Sequence, residues 1–184
     1  MKKKTITAGI DEVGRGCLAG PVVSAAVILK EGINLDLLED SKKISFKRRL
    51  EISDHIKSHS HYAIGLASVE EILDLNILQA SLLSMKRALE QLTVKPDLTL
   101  IDGNFAPSGL KNCKTIINGD EKIKVISAAS IIAKVFRDKL MIKLAEKFSN
   151  YAWESNFGYG TKAHLEGLKK FGITSHHRKG FKPV

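Results

Sequence analysis

The sequence predicts an α/β domain built on a mixed sheet, and three observations carry that prediction. Short apolar runs rich in β-branched residues end in Asp, Asn or Gly turns. Two longer stretches place apolar residues three and four apart, as a core-facing helix requires. The chain has 184 residues, 43% of them hydrophobic, which suits one domain with a proper core.

The elements follow in order. Thr5 to Val13 reads as a first strand and Val22 to Leu29 as a second. Pro21 stands where the second strand begins, a position that tolerates proline. His61 to Ala67 reads as a third strand, Leu98 to Ile101 as a buried fourth ending at Asp102-Gly103, and Thr115 to Ile117 as a fifth ending at Asn118-Gly119-Asp120. Ser68 and Glu71 form a capping-box pattern. It opens one helix carrying Leu75, Leu78, Leu82, Met85, Leu89 and Leu92 along a single face. A second helix is expected from about Ser127 to Phe148, with Ala129, Ile132, Phe136, Leu140 and Leu144 on one side. Three strands, then helix, strand, helix, strand and helix give a mixed sheet. From about Tyr151 the composition turns to Gly, Lys, His and aromatics, and a helical appendage is expected. The division is therefore residues 1–150 as core and 151–184 as a carboxy-terminal helical segment.

Composition narrows the functional class. The formal net charge is +9 and the pI about 9.5, which favours a polyanionic partner. Cys17 and Cys113 are the only cysteines, which excludes a disulfide framework or a four-cysteine zinc site within one chain. A reducing cytoplasm is the expected compartment and a monomer the expected state. Lys2-Lys3-Lys4 imitates the start of a signal peptide, but the run behind it meets Asp11-Glu12 too soon. No stretch approaches the ~18 apolar residues of a membrane span.

Asp11, Glu12 and Asp102 fall at the carboxyl ends of expected strands, and Asp120 follows another. Strand ends of α/β sheets are where ligands bind. Four converging acids repel one another unless cations neutralise them. Oxygen-rich sites select Mg²⁺ or Mn²⁺, and two such ions ~3.5–4 Å apart are a standard device for phosphodiester hydrolysis. The turn Gly14-Arg15-Gly16 follows the first acids and offers a groove that a backbone phosphate can enter. Gly14 to Ala19 also formally matches a dinucleotide-binding fingerprint. That motif must open a helix, whereas Gly20-Pro21 and a β-branched run follow here. His55 and His59 have zinc-ligand spacing on a helix but no third ligand, and are read as surface polar residues. Phe157-Gly158-Tyr159-Gly160-Thr161 reads as a tight turn presenting Tyr159 for stacking on a base or sugar. Lys162, Lys169, Lys170, Arg178, Lys179 and Lys182 are read as a phosphate-contacting surface.

These residues carry a family resemblance. The chain resembles bacterial ribonuclease HII, a type 2 ribonuclease H. The matching segments are Gly9 to Gly16, Leu18-Ala19-Gly20-Pro21, Asp40-Ser41-Lys42-Lys43, Ile101-Asp102-Gly103-Asn104 and Gly119-Asp120. They continue through Ile126 to Val135, Arg137-Asp138, Gly158-Tyr159-Gly160-Thr161 with His164, and His177-Arg178, in the family's order and over nearly the whole chain. The resemblance implies a ribonuclease H-like fold, with a five-stranded mixed sheet flanked by helices and a helical carboxy-terminal extension. It implies endonucleolytic cleavage of the RNA strand of RNA–DNA hybrids, and incision 5′ to single ribonucleotides embedded in duplex DNA. Products would carry 3′-hydroxyl and 5′-phosphate ends.

By the same resemblance, Asp11, Glu12, Asp102 and Asp120 are the expected metal-binding and catalytic acids. Gly14, Arg15 and Gly16 are the turn expected to read the 2′-hydroxyl. Tyr159 is expected to pack on the sugar at the RNA–DNA junction, and Lys42 to touch a phosphate. Cys17 stands where the family usually has proline, and Ser155 where lysine is common. Asp138, inside a helix beside Arg137, is expected to support the site and not to bind metal. A catalytically silent nucleic-acid-binding domain would not need all four acids. A resolvase-like or integrase-like enzyme of the same fold fits less well, because the Gly-Arg-Gly turn and the Gly-Tyr-Gly-Thr segment favour ribonuclease HII.

Overall fold

β-branched and apolar residues dominate the runs that become strands, and these five runs form one sheet. In a computed structural model of the chain, which describes residues 5–38 and 45–184, they are β1 (Thr7–Val13), β2 (Val22–Leu29), β3 (Ser60–Ala67), β4 (Leu98–Asp102) and β5 (Cys113–Ile116). The segment Asp40-Ser41-Lys42-Lys43, and with it the expected phosphate contact at Lys42, lies outside the described residues. Sheet order is β3-β2-β1-β4-β5. β1 pairs antiparallel with β2 and parallel with β4, so the sheet is mixed about its central strand. β5 is a short edge strand with exposed Lys114 and Thr115, a composition that discourages edge-to-edge association.

Helices cover both faces. α1 (Phe46–Ser58) and the 24-residue α5 (Lys124–Lys147) lie on one side. Ala25 and Val27 of β2 pack there against Ile52, Ile56 and the run from Ala128 to Ala133. α3 (Ile77–Glu90) covers the other side, where Ala8, Ile10 and Ile101 meet Met85 and Ala88. The small residues of α5 bring it close over β1. A Cβ on Gly9 would collide with the backbone of Val125 and Ile126, so glycine is required at that crossing.

Four expectations need correction. The helix that Ser68 opens is two helices: α2 (Val69–Leu75) ends at Asn76, and α3 begins one residue later. Asn76 sits at φ +70, and its side chain accepts from the N–H groups of Leu78 and Gln79. A left-handed Asn that caps the next helix overrides the leucine periodicity. α5 starts at Lys124, one turn before Ser127. β5 is shifted to Cys113–Ile116, leaving Ile117 exposed. No helix joins β4 to β5; residues 103–112 make that parallel connection in turns.

After α5 the chain forms a 3₁₀ turn (Ser149–Tyr151), α4 having already closed as the short helix Gly119–Lys122 before it. α6 (Trp153–Asn156) and α7 (Lys162–Phe171) follow. Tyr151 and Trp153 share a cluster with Ala19, Met141 and Ala145, so the carboxy-terminal segment is packed onto the core. Among the described residues no helix is long and apolar enough to cross a membrane.

Candidate active site

Register brings the acids together. Ile10 pairs with Ile101 across the parallel β1–β4 ladder, so Asp11 and Asp102 are the next residues along neighbouring strands. Alternation turns Ile10 and Ile101 toward α3 and leaves Asp11 and Asp102 toward α4 and α5. Asp102 Oδ1 accepts from Gly119 N at 2.6 Å and from Asp120 N at 3.4 Å. The carboxylate thereby caps α4 and fixes where Asp120 stands. Asp11, Glu12, Asp102 and Asp120 line one cleft of about 360 Å³, together with Arg49, Ser130, Lys134 and Tyr159.

The electrostatics of the cleft are strained in the absence of a cation. Burial pushes the Asp11 carboxyl well above the usual range, and the charges of Glu12 and Asp102 push it further. Hydrogen bonds from the Ser130 hydroxyl and the Glu12 N–H oppose this. Burial likewise raises Glu12, offset by Arg15, whose Nη1 lies 3.2 Å from Oε1. Glu12 Oε2 is buried and has no hydrogen-bond partner among the described residues. An orphaned carboxylate oxygen among like charges fits a hard cation. Among the described residues no three His, Cys, Asp or Glu close into a cage around an ion. An open arrangement of that kind suits an ion that keeps several waters and shares its shell with substrate phosphates.

The turn after β1 is fixed from behind. Gly14 adopts φ +95, and a Cβ there would overlap the Arg137 side chain, so both its backbone and its packing demand glycine. Gly16 has open space around it. Arg137 is fully buried and donates to Pro21 O (2.9 Å), Phe157 O (2.8 Å) and Ala19 O (2.9 Å). Arg178 donates to Gly20 O (2.8 Å) and Arg15 O (3.0 Å). Two arginines with no carboxylate partner among the described residues therefore lock the Gly-Arg-Gly turn to the loop that carries Tyr159. Burial, and then the neighbouring Arg137, lower Arg178 to about 10. Arg178 is thus removed from the expected basic surface, because it is only 1% exposed. Lys162, Lys169, Lys170, Lys179 and Lys182 remain exposed.

Tyr159 reaches the cleft half-exposed at 40%, and its hydroxyl bonds the Cys17 thiol. Burial raises its pKa, the Cys17 neighbour adds to that, and Arg137 opposes it. Cys17 is fully buried, so it belongs to the support of the turn. Ser155 is exposed and bonds Ala152 O within its own helix. His55 and His59 are half-buried, their rings 4.3 Å apart and tilted by 33°, not surface residues as expected. His55 sits on α1 and His59 ends it, away from the residues that line the cleft.

The sequence reading missed three polar residues that line the cleft: Arg49, Ser130 and Lys134. Ser130, Lys134 and Asp138 are spaced four apart on α5, so they share one face. That spacing was the available signal. Asp138 is fully buried, pairs with Lys134 at 2.7 Å and lies 3.9 Å from Arg49. Burial raises its pKa, and those cations oppose the rise. Asp138 therefore holds two cations at the edge of the cleft and does not itself line it. Lys134 Nζ also sits 4.7 Å from the Phe157 ring centroid and 6.0 Å from that of Tyr159. No comparable signal marked Arg49, which comes from α1.

A mixed sheet that gathers acids at its strand ends in one cleft is the layout of a metal-assisted nuclease of the ribonuclease H-like fold. A family model described as Ribonuclease HII matches residues 8–184. The Ribonuclease HII of Pelagibacter ubique is 57% identical over 181 residues, covering 97% of both chains. That of Roseobacter denitrificans is 50% identical over 178 residues, covering 96% of this chain and 90% of its own. The crystal structure of the ribonuclease H2 from Pyrococcus horikoshii superposes with a TM-score of 0.79 at 28% identity, over 96% of this chain and 93% of that one. An Archaeoglobus fulgidus RNase HII, solved in complex with PCNA, gives 0.75 at 28% identity, over 97% and 96%. The chain belongs to the ribonuclease HII family and is an endonuclease of the ribonuclease H class.

Proposed function

We propose that this chain cleaves the RNA strand of RNA–DNA hybrids and incises 5′ to single ribonucleotides in duplex DNA, leaving 3′-hydroxyl and 5′-phosphate ends. The observation that carries the reading is the convergence of Asp11, Glu12, Asp102 and Asp120 on one cleft whose Glu12 Oε2 is buried without a partner among the described residues. These four acids would hold divalent cations, two Mg²⁺ or Mn²⁺ with substrate bound. Such ions supply charge neutralisation and activation of water for phosphodiester hydrolysis.

The chain's own residues do the rest. Asp102 orients Asp120 through the start of α4. Arg15 holds Glu12 in place and, half-exposed, borders the entrance. Backbone groups of Gly14, Arg15 and Gly16 approach the 2′-hydroxyl, which is both donor and acceptor and is the one local mark of RNA. Tyr159 lies against the next sugar and favours deoxyribose there. Residues 1–150 form the catalytic core, and residues 151–184 supply Tyr159 and the exposed lysines that meet backbone phosphates. We take the protein as a monomer in a reducing cytoplasm, consistent with its free cysteines Cys17 and Cys113.

One gel tests this. A DNA duplex carrying one ribonucleotide, incubated with Mg²⁺ or Mn²⁺, is expected to be cut once on the 5′ side of that residue, while the all-DNA duplex stays intact. Cleavage of both duplexes, or of neither a single-ribonucleotide duplex nor a long hybrid, would reject the reading.

A further inference from the structure

Behind Tyr159, away from the acids, lies a buried pair of histidines that the reaction leaves unused. His164 is fully buried on α7, and His177 is 1% exposed on the segment that returns to Ala19. Their neighbours fix every proton. The Thr174 backbone N–H can only donate, so His177 Nδ1, 2.9 Å away, accepts. His177 then carries its proton on Nε2, which lies 3.1 Å from His164 Nε2. The Trp153 indole N–H, also a donor only, points at that same His164 Nε2 from 3.1 Å. His164 Nε2 is therefore the acceptor, and its proton sits on Nδ1. That Nδ1–H donates to the Tyr159 carbonyl at 2.9 Å.

We propose that His164 and His177 are positioning residues for Tyr159: a one-way donor chain from Thr174 through both rings pins the Tyr159 carbonyl and so sets how its ring meets the cleft. The inference rests on Tyr159 sensing the RNA–DNA junction. Gly158, at φ +88, packs against Ala19 O and Gly160 against Leu18, so the turn is fastened at its flanks and the histidine pair holds its central carbonyl. The Thr161 N–H is the second donor to the same carbonyl, at 2.8 Å. Burial, then the neighbouring His164 and His176, hold His177 down to about 4, which keeps the chain neutral at ordinary pH.

The test compares kcat/KM on a single-ribonucleotide duplex with kcat/KM on a long RNA–DNA hybrid. His164→Phe removes the donor, and His164→Asn returns an amide N–H near the place of Nδ1. The single-ribonucleotide to hybrid ratio is expected to fall roughly threefold to tenfold in His164→Phe, the loss of about one hydrogen bond. His164→Asn is expected to recover most of that ratio, and Tyr159→Ala to move it the same way. Equal loss on both substrates in His164→Phe overturns the proposal, since a pair that merely fills the core would do that. If Tyr159→Ala moves the ratio and His164→Phe does not, the histidine pair alone is rejected. If Tyr159→Ala leaves the ratio unchanged, the reading of Tyr159 fails and this one with it. ¹⁵N NMR of the unsubstituted protein needs no variant to fold. It is expected to find His164 as the Nδ1–H tautomer and His177 as the Nε2–H tautomer. The opposite tautomer at His164, or an imidazolium at pH 7, overturns the proposal.

Discussion

Asp102 does two jobs with one carboxylate: it faces the cleft and caps the helix that carries Asp120. Asp102→Asn keeps the shape and removes the charge. Turnover in Mg²⁺ is expected to fall by about two orders of magnitude, or ~3 kcal/mol of barrier. Near-normal steady-state turnover would remove Asp102 from the chemistry. Asp11 pays for its place in stability, because burial and the charges of Glu12 and Asp102 oppose its ionised form. Asp11→Asn is expected to melt higher than the unsubstituted protein in EDTA, and to lose the rise in melting temperature that Mg²⁺ or Mn²⁺ gives. A lower melting point in EDTA would contradict the repulsion argument. Asp138 works the other way. Replacing it by Leu strands Lys134 and takes one charge partner from Arg49, and breaking such a buried pair costs about 3 kcal/mol. For a chain of this size that is a loss of roughly 6–12 °C in melting temperature by calorimetry.

At the scale of the element, Asn76 decides whether the leucine-bearing stretch is one helix or two. Its left-handed backbone suits Asn or Gly, and its side chain caps α3. Asn76→Ala is expected to cost about 1–2 kcal/mol in denaturant unfolding, and Asn76→Gly only a few tenths. Equal costs would mean that the backbone angle does not matter, since both variants lack the cap. Ser68 and Glu71 form the capping box of α2 as expected, and Glu71 also pairs with Arg87 of α3 at 2.6 Å. That pair ties the two short helices together across the break.

The whole molecule is basic, and five of its exposed lysines lie on and after α7. Binding to a hybrid is expected to weaken steeply with salt, and each neutralised lysine that meets a phosphate should flatten the log–log slope by about one unit. A salt-insensitive affinity would reduce the charge to a solubility device. Stability should also depend on pH through the buried histidines. His177 is held at about 4 in the folded chain against 6.5 when free, with His164 and His176 facing it. The unfolded chain therefore binds more protons between about pH 4 and 6.5, so stability rises with pH across that window and is complete above it. His177→Gln is expected to flatten the rise, as followed by melting temperature against pH.

Much of this was legible in the chain itself. The five strands could be read because buried strands need β-branched runs closed by turn residues, a purely local rule. The acids could be read as a set because each falls at, or just after, the end of such a run. Periodicity failed at Asn76, where a capping side chain and a left-handed angle outweighed six regularly spaced apolar residues. It gave no warning that residues 103–112 join two parallel strands without a helix. Sequence alone also counted Arg178 as surface charge, because a basic residue carries no mark of burial. Only the tertiary structure revealed Arg137 and Arg178 as buried fasteners of the Gly-Arg-Gly turn, brought Arg49 into the cleft, and set His164 against His177. The physical reason is range. Strand and turn signals are written within a few neighbouring residues, whereas a donor seeking a carbonyl 163 positions away is satisfied only once the chain has closed on itself.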